Sequence, residues 1–348
     1  MLPVNQTLSN YSDIAFQSAF VIYVVALFVS LFFYGKMQGI IDARRERATR
    51  PAEASVAQRV AVGDAGSTLV DDGVPASASD ANDEQLSDGE LAGREARADK
   101  LSGMTQALVW VGILLHATSW VLRGVATERF PLGNLYEYML GISLGVMIAA
   151  AVALQRRSWR SLWPWVLTPM LALMFYGGTE LYAESAPVVP ALQSNWLPIH
   201  VSTVAIGASI GIVSGVASLL YLLRIWQAPG QEKGFFGALA KPLPTAKKLD
   251  ALAYRAAIVT LPTFGVGILL GAIWAEAAWG RFWGWDPKET VSLITWILYA
   301  AYLHARATAG WKNWKAALIN IVGLASMIFN LFFINLVVSG LHSYAGLN

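Results

Sequence analysis

No cysteine occurs anywhere in the 348 residues. The chain therefore has no thiolate of its own for disulfide exchange, metal ligation or iron–sulfur chemistry, and any thiol in its reaction belongs to a partner or substrate. Charge is scarce as well: charged residues make up 14% of the sequence against 55% hydrophobic, and the net charge is only +2. That composition is the mark of a polytopic membrane protein. Seven or eight apolar runs of about 20 residues, each long enough to span a bilayer, leave no room for a large soluble catalytic domain. The sequence has no Gly-rich phosphate loop, nucleophile elbow or His-Glu-x-x-His pair, which removes the usual support for nucleotide-driven pumps, serine hydrolases and zinc proteases. Nothing in it suggests nucleic-acid binding, and no basic region precedes the first apolar run, which argues against a cleaved signal peptide.

The apolar runs predict an all-α fold, a bundle of about eight transmembrane helices. The first span covers roughly 14–34 and ends on Lys36, Arg44, Arg45, Arg47 and Arg50. Residues 51–103 then change character, with eleven acids, four bases and few aliphatics, which reads as a disordered cytoplasmic linker. The remaining seven spans lie at roughly 104–122, 135–154, 162–178, 198–223, 256–275, 290–307 and 316–338, with Pro242 and Pro244 ruling out one continuous helix across the 224–254 connection. The chain thus divides into an N-terminal helix with its basic end (1–50), the linker (51–103) and a seven-helix domain (104–348). Of 25 Lys and Arg, 17 fall on one side outside the linker, and only Arg123, Arg129, Arg281 and Lys288 fall on the other. The positive-inside rule then places both termini outside, together with the loop 274–289.

That loop reads Trp-Ala-Glu-Ala-Ala-Trp-Gly-Arg-Phe-Trp-Gly-Trp-Asp-Pro-Lys-Glu. Four Trp (Trp274, Trp279, Trp283, Trp285) and Phe282 fall within twelve residues, with Gly280 and Gly284 between them. An interfacial Trp belt puts one or two Trp at a helix end. So many on one loop suit a flat, hydrophobic, conjugated ligand. Only four His occur, and two of them, His200 at the start of the fifth span and His342 after the eighth, fall on the same side as the loop. His116 and His304 lie inside spans, where an ionisable side chain is costly and tends to face a partner.

The segment 279–289, preceded by Gly-Ala-Ile-Trp-Ala-Glu and followed by a helix with Trp296 and His304, closely resembles the tryptophan-rich WWD signature of haem-handling membrane proteins of cytochrome c biogenesis. Within that superfamily it is most similar to the CcsA (ResC) type of the system II cytochrome c synthase, over roughly residues 104–348. The resemblance implies that haem b is the ligand and that neutral imidazoles hold its iron. His200 and His342 match the external pair, His116 and His304 an intramembrane pair on the haem route. Trp274, Trp279, Phe282, Trp283, Trp285 and Asp286 then belong to the haem surface, and Arg281 or Lys288 is placed to pair with haem propionates. A second stretch, Asn134-Leu135-Tyr136-Glu137, resembles another signature of the type; Asn134 reads as a helix cap with Glu137 in the first turn. Asp286 before Pro287 likewise reads as a helix start.

The implied function is haem delivery across the membrane and thioether attachment to the Cys-x-x-Cys-His motif of apocytochrome c, in partnership with a ResB-type membrane subunit. The implied setting is a bacterial cytoplasmic membrane or a thylakoid-like equivalent, with the chain contacting lipid along its spans. Two other readings compete. One is a haem exporter or chaperone without attachment activity, the other a non-haem transporter whose Trp and His are interfacial.

Overall fold

The computed structural model describes residues 4–63, 87–188, 192–311 and 313–342, with the side chains of 50–63 left out of the description. Every regular element among the described residues is helical. Nine α-helices follow in order: α1 (Gln6–Gly63), α2 (Asp88–Ala126), α3 (Leu135–Ala153), α4 (Trp163–Thr179), α5 (Trp196–Trp226), α6 (Gly234–Ala240), α7 (Ala246–Trp279), α8 (Pro287–Ala307) and α9 (Trp314–Phe329). A π-turn over Asn330–Ile334 prolongs α9. Six of these helices, α1, α2, α3, α5, α7 and α9 with its π-turn, are long and apolar enough to cross a bilayer. The sequence expectation names two more: α4, with 17 residues, and α8, with 21.

The helix α8 is the less apolar because one face of it is polar. Lys288, Ser292, Thr295, Tyr299, Tyr302 and Arg306 recur at intervals of three and four, the spacing of one helical stripe. The stripe faces its neighbours: Ser292 accepts from Asn330 at 2.9 Å, Thr295 bonds Ser326 at 2.7 Å, and Tyr299 donates to the Gly211 carbonyl at 2.8 Å. Nearby, Asn320 of α9 donates to Ser214 and Ser218 of α5 at 2.9 and 2.7 Å. Polar side chains that find each other between helices hold a bundle where water cannot compete for them.

Close approach does the rest. α5 and α7 form the most extensive interface, followed by α1 with α2. A Cβ on Gly207 of α5 would stand 2.8 Å from the backbone nitrogen of Phe264 in α7, and one on Gly267 of α7 would stand 2.6 Å from Val204 in α5. Only glycine permits two backbones to lie so near.

The linker expectation gives way at both ends, since α1 runs on through Gly63. Residues 88–103 are the first turns of α2: Ser87 and Glu90 form a capping box, and Leu91 and Ala98 bury against Phe33, Ile40 and Ala43 of α1. Arg44 pairs with Glu95 at 2.7 Å, so an acid of the expected linker is a partner of the basic end of α1. The middle of the linker, 64–86, lies outside the described residues. The break at Pro242 and Pro244 occurs as expected, between α6 and α7.

The two ends of the bundle differ. At one, Arg45 pairs with Glu232 at 2.8 Å, Arg157 with Asp99 at 3.0 Å and Arg306 with Asp250. At the other stand Arg123, Arg129, Arg281 and Lys288, with the Trp-rich loop. There Glu137 is fully buried and accepts from Arg123 at 3.2 Å, from Arg129 at 2.7 Å and from the Gly133 amide at 2.6 Å, while Asn134 caps α3 through the Glu137 amide. Capping was legible in the sequence; the charge-paired role of Glu137 was not, because Arg123 and Arg129 come from other turns of the chain.

Gly207→Ala should lower the thermal midpoint of the detergent-purified chain, by the equivalent of about 1–3 kcal/mol for an overpacked contact. Gly103→Ala, where a Cβ meets nothing within 4 Å, should leave it unchanged or raise it slightly.

Candidate functional site

α7 ends at Gly280, whose φ of +69° suits glycine, and the chain turns back across the bundle end. Glu289, in the first turn of α8, shapes that turn. Its carboxylate accepts from the Gly284 amide at 2.9 Å, the Asp286 amide at 3.2 Å and Arg281 at 3.2 Å. Trp285 sits inside this lock at φ +57°, a backbone region that a bulky residue rarely adopts. In the sequence Glu289 is only the third residue after the Asp286 helix start.

The site assembles around Trp274, which is fully buried near the end of α7. The His200 imidazole stacks on it, with centroids 5.9 Å apart and planes at 21°, and the His342 imidazole meets it edge-on at 6.1 Å. Trp279 closes the group, 5.0 Å from Trp274 and 5.3 Å from His342. The two histidines are 142 residues apart in sequence, and the fold brings them to one place.

Each imidazole is held by its Nδ1. His200 Nδ1 lies 2.8 Å from the carbonyl oxygen of Gly267, which can only accept, so Nδ1 carries the proton. The ring fits because α7 has glycine beside it: a Cβ on Gly271 would stand 2.6 Å from His200 Cε1. His342 Nδ1 lies 2.8 Å from Asp286 Oδ1, and the other carboxylate oxygen accepts the Leu341 amide at 2.7 Å. Asp286 also caps α8 through the Lys288 amide at 3.1 Å. Burial pushes the Asp286 carboxyl upward in pKa, but the hydrogen bonds from His342, Leu341 and Lys288 outweigh it and hold the value down at about 2. Burial likewise holds His342 below its ordinary 6.5, although Asp286 pulls the other way. The pair at neutral pH is an ionised carboxylate beside a neutral ring, and an ionised carboxylate only accepts. In both histidines the lone pair therefore sits on Nε2, the nitrogen that ligates a metal when Nδ1 is bound elsewhere.

Two clefts meet at this pair. One is walled by Leu132, Tyr138, Leu197, Val204, Trp274 and Asn335, the other by Gly271, Ala275, Trp279, Phe282, Trp283 and Glu289; both include His200, His342 and Lys288. The walls are apolar and aromatic with a few polar groups, the make-up of a small-molecule site. Lys288 reaches Asn335 Oδ1 and lies 5.5 Å from the Tyr138 ring centre, so the one cation common to both clefts is held from α3 and from the residues after α9. Asn335 and Tyr138 carry no motif and went unnoticed in the sequence.

Other expected site residues fall differently. Arg281 is paired with Glu289 and rests over the Trp279 ring at 5.7 Å. Trp283 lines the second cleft, whereas Trp285 stands 68% exposed, outside both clefts, meeting Trp283 edge-on at 5.7 Å. His116 is fully buried in the α1–α2–α3 interface, near Phe16, Tyr23 and Ser143. His304 is exposed in the last turn of α8, a helix that packs on α7 and α9. The structure brings His200 and His342 together and does not bring His116 and His304 together.

The clasp between Asp286 and His342 has a definite acid response. The Asp286 contribution is complete above the unfolded carboxyl value near 3.8 and is lost as pH falls through about 2. The neutral His342 contribution is complete above 6.5 and is lost as pH falls below it, because the unfolded chain takes up the proton first. The thermal midpoint should thus decline as pH falls from 7.5 to 3.5. Asp286→Ala should cost about 2 kcal/mol at pH 7, as for hydrogen bonds to a charged group, and the gap to wild type should close only below about pH 3.8, as Asp286 itself takes up a proton.

Comparison with known proteins identifies the family. A family profile described as cytochrome C assembly protein matches residues 132–342, a range that includes His200, the Trp-rich loop, His304 and His342 and leaves out His116. Among similar proteins are cytochrome c biogenesis proteins CcsA. That of Synechococcus sp. (strain CC9902) is 35% identical over 272 residues, 71% of this chain and 88% of the relative. That of Guillardia theta is 35% identical over 70% and 84%, and that of Chlamydomonas reinhardtii 33% identical over 72% and 70%. With its apolar helices and these relatives, the chain is an integral membrane protein of the cytochrome c assembly protein family, of the CcsA type.

Proposed function

We propose that the Trp-rich end of the bundle presents haem b to apocytochrome c as the CcsA/ResC component of a system II synthase working with a ResB-type membrane subunit. The observation that carries the proposal is the convergence of His200 and His342 on one aromatic wall, each with its lone pair on Nε2. Two such nitrogens would hold a haem iron as its imidazole donors. Trp274 and Trp279 supply flat apolar surface, and Lys288 supplies a cation within the clefts that suits a propionate. His116 and His304 are not part of this two-imidazole site.

The reaction is an addition. Each acceptor thiol S–H adds across a haem vinyl C=C, giving a thioether with no atom leaving, so the bond-making groups belong to cargo and acceptor. The chain contributes orientation and ligation. Having no cysteine, it offers no competing thiol. The lysines and arginines gathered at the other end of the bundle support an orientation with the Trp-rich end on the external or periplasmic face.

The test is co-production of the chain with a ResB-type partner and an apocytochrome, followed by haem staining of the acceptor after denaturing electrophoresis. Haem that survives denaturation is covalently bound. Wild type should give a stained acceptor, and His200→Ala with His342→Ala should abolish it. Haem that reaches the acceptor but washes out on denaturation would instead favour an exporter or chaperone.

A further inference from the structure

The two imidazoles are alike in packing and unlike in what holds them. Both lie against Trp274 at nearly equal distance, and each is closed on a second side, His200 by Gly271 and His342 by Trp279. His200, however, gives its Nδ1 proton to a neutral peptide carbonyl, that of Gly267, at 2.8 Å. His342 gives its proton to the Asp286 carboxylate at the same distance. A charged acceptor draws the proton more strongly than a neutral one and raises the basicity of the opposite ring nitrogen.

The carboxylate is more than helix capping requires. Capping uses one oxygen, on the Lys288 amide, and Ser, Thr or Asn would do that as well. What Asp adds is a negative charge, steadied by the α8 N-terminus, and a second oxygen directed to the Leu341 amide beside the histidine. The seat is also tight, since a Cβ on Gly340 would stand 2.6 Å from Asp286 Oδ2.

We propose that Asp286 is a positioning residue that makes the ligand pair unequal: His342 is the strong ligand that stays on the iron, and His200 is the weaker one that yields to the incoming imidazole of the acceptor. This rests on the haem reading above and adds an order of ligand exchange to it. The acceptor's histidine would then take the place of His200, while Asp286 and His342 would hold the haem until the thioethers form.

The test uses the full chain purified with its ResB-type partner. His200→Gly and His342→Gly are each loaded with haem and free imidazole, then diluted, and loss of imidazole is followed in the visible spectrum. Imidazole in place of His342, facing the carboxylate, should leave at least about tenfold more slowly than imidazole in place of His200, the low end of what a hydrogen-bonded carboxylate behind a ligand confers. Adding Asp286→Asn to His342→Gly should erase the difference while keeping a capping side chain at the start of α8. Equal rates, or the reverse order, in the two glycine variants would overturn the proposal, with or without the Asn variant. If wild type shows a two-imidazole haem spectrum and the rates are equal, the haem reading stands and only the inequality falls. If wild type takes up no haem, both fall.

Discussion

The carboxylate of Asp286 is the point on which this end of the molecule depends. It begins α8, receives the amide of Leu341 and holds the Nδ1 of His342, so one side chain joins the Trp-rich loop, a helix N-terminus and the segment after α9. Its charge is buried, and such a charge persists only where hydrogen bonds and a helix dipole replace water. With that anchor in place, His342 is brought against Trp274 and Trp279. His200 arrives independently, carried by α5 and fitted to α7 through Gly267 and Gly271.

The rest of the bundle can be understood as what keeps these two arrivals in register. α5 and α7 touch through glycines, so the position of His200 relative to Trp274 is set by backbone contact, which has little give. α8 and α9 are joined by polar side chains in place of close backbones. The loop between α7 and α8 is fastened by Glu289, which tolerates an unusual backbone at Trp285 to bring Trp283 to a cleft wall. A positive φ at a residue of this size persists only when its surroundings over-determine it.

Much of this was legible in the sequence, for identifiable reasons. Long apolar runs and Pro positions mark helices and breaks, and the Asn134 and Asp286 caps follow from short-range chemistry. Clustering of Trp in one loop and the rarity of histidine point to the candidate site, although only His200 and His342 of the four histidines reach it. Facing directions were not legible. Hydropathy says that His304 and His116 lie in helices but not that one is exposed and the other sealed against α1 and α3. Trp285 and Trp283 are two residues apart in one motif, yet only one lines a cleft. Long-range pairings were hidden as well: Glu137 with Arg123 and Arg129, Lys288 with Asn335 and Asp286 with His342 require the fold. The 88–103 segment reads as linker because it is acidic and poor in aliphatics, whereas in the fold Asp88 and Glu95 pair with Arg47 and Arg44 of α1 and Asp99 with Arg157.

The central claim is that one iron-binding position at the Trp-rich end is made by His200 and His342 together. Electron paramagnetic resonance of the ferric haem-loaded chain tests it most directly, because two axial imidazoles give a low-spin signal that is lost when either is removed. The account predicts low spin in wild type, His116→Ala and His304→Ala, and its loss in His200→Ala and in His342→Ala separately. A low-spin signal that survives both single substitutions, or that disappears in the His116 or His304 variant instead, would contradict it.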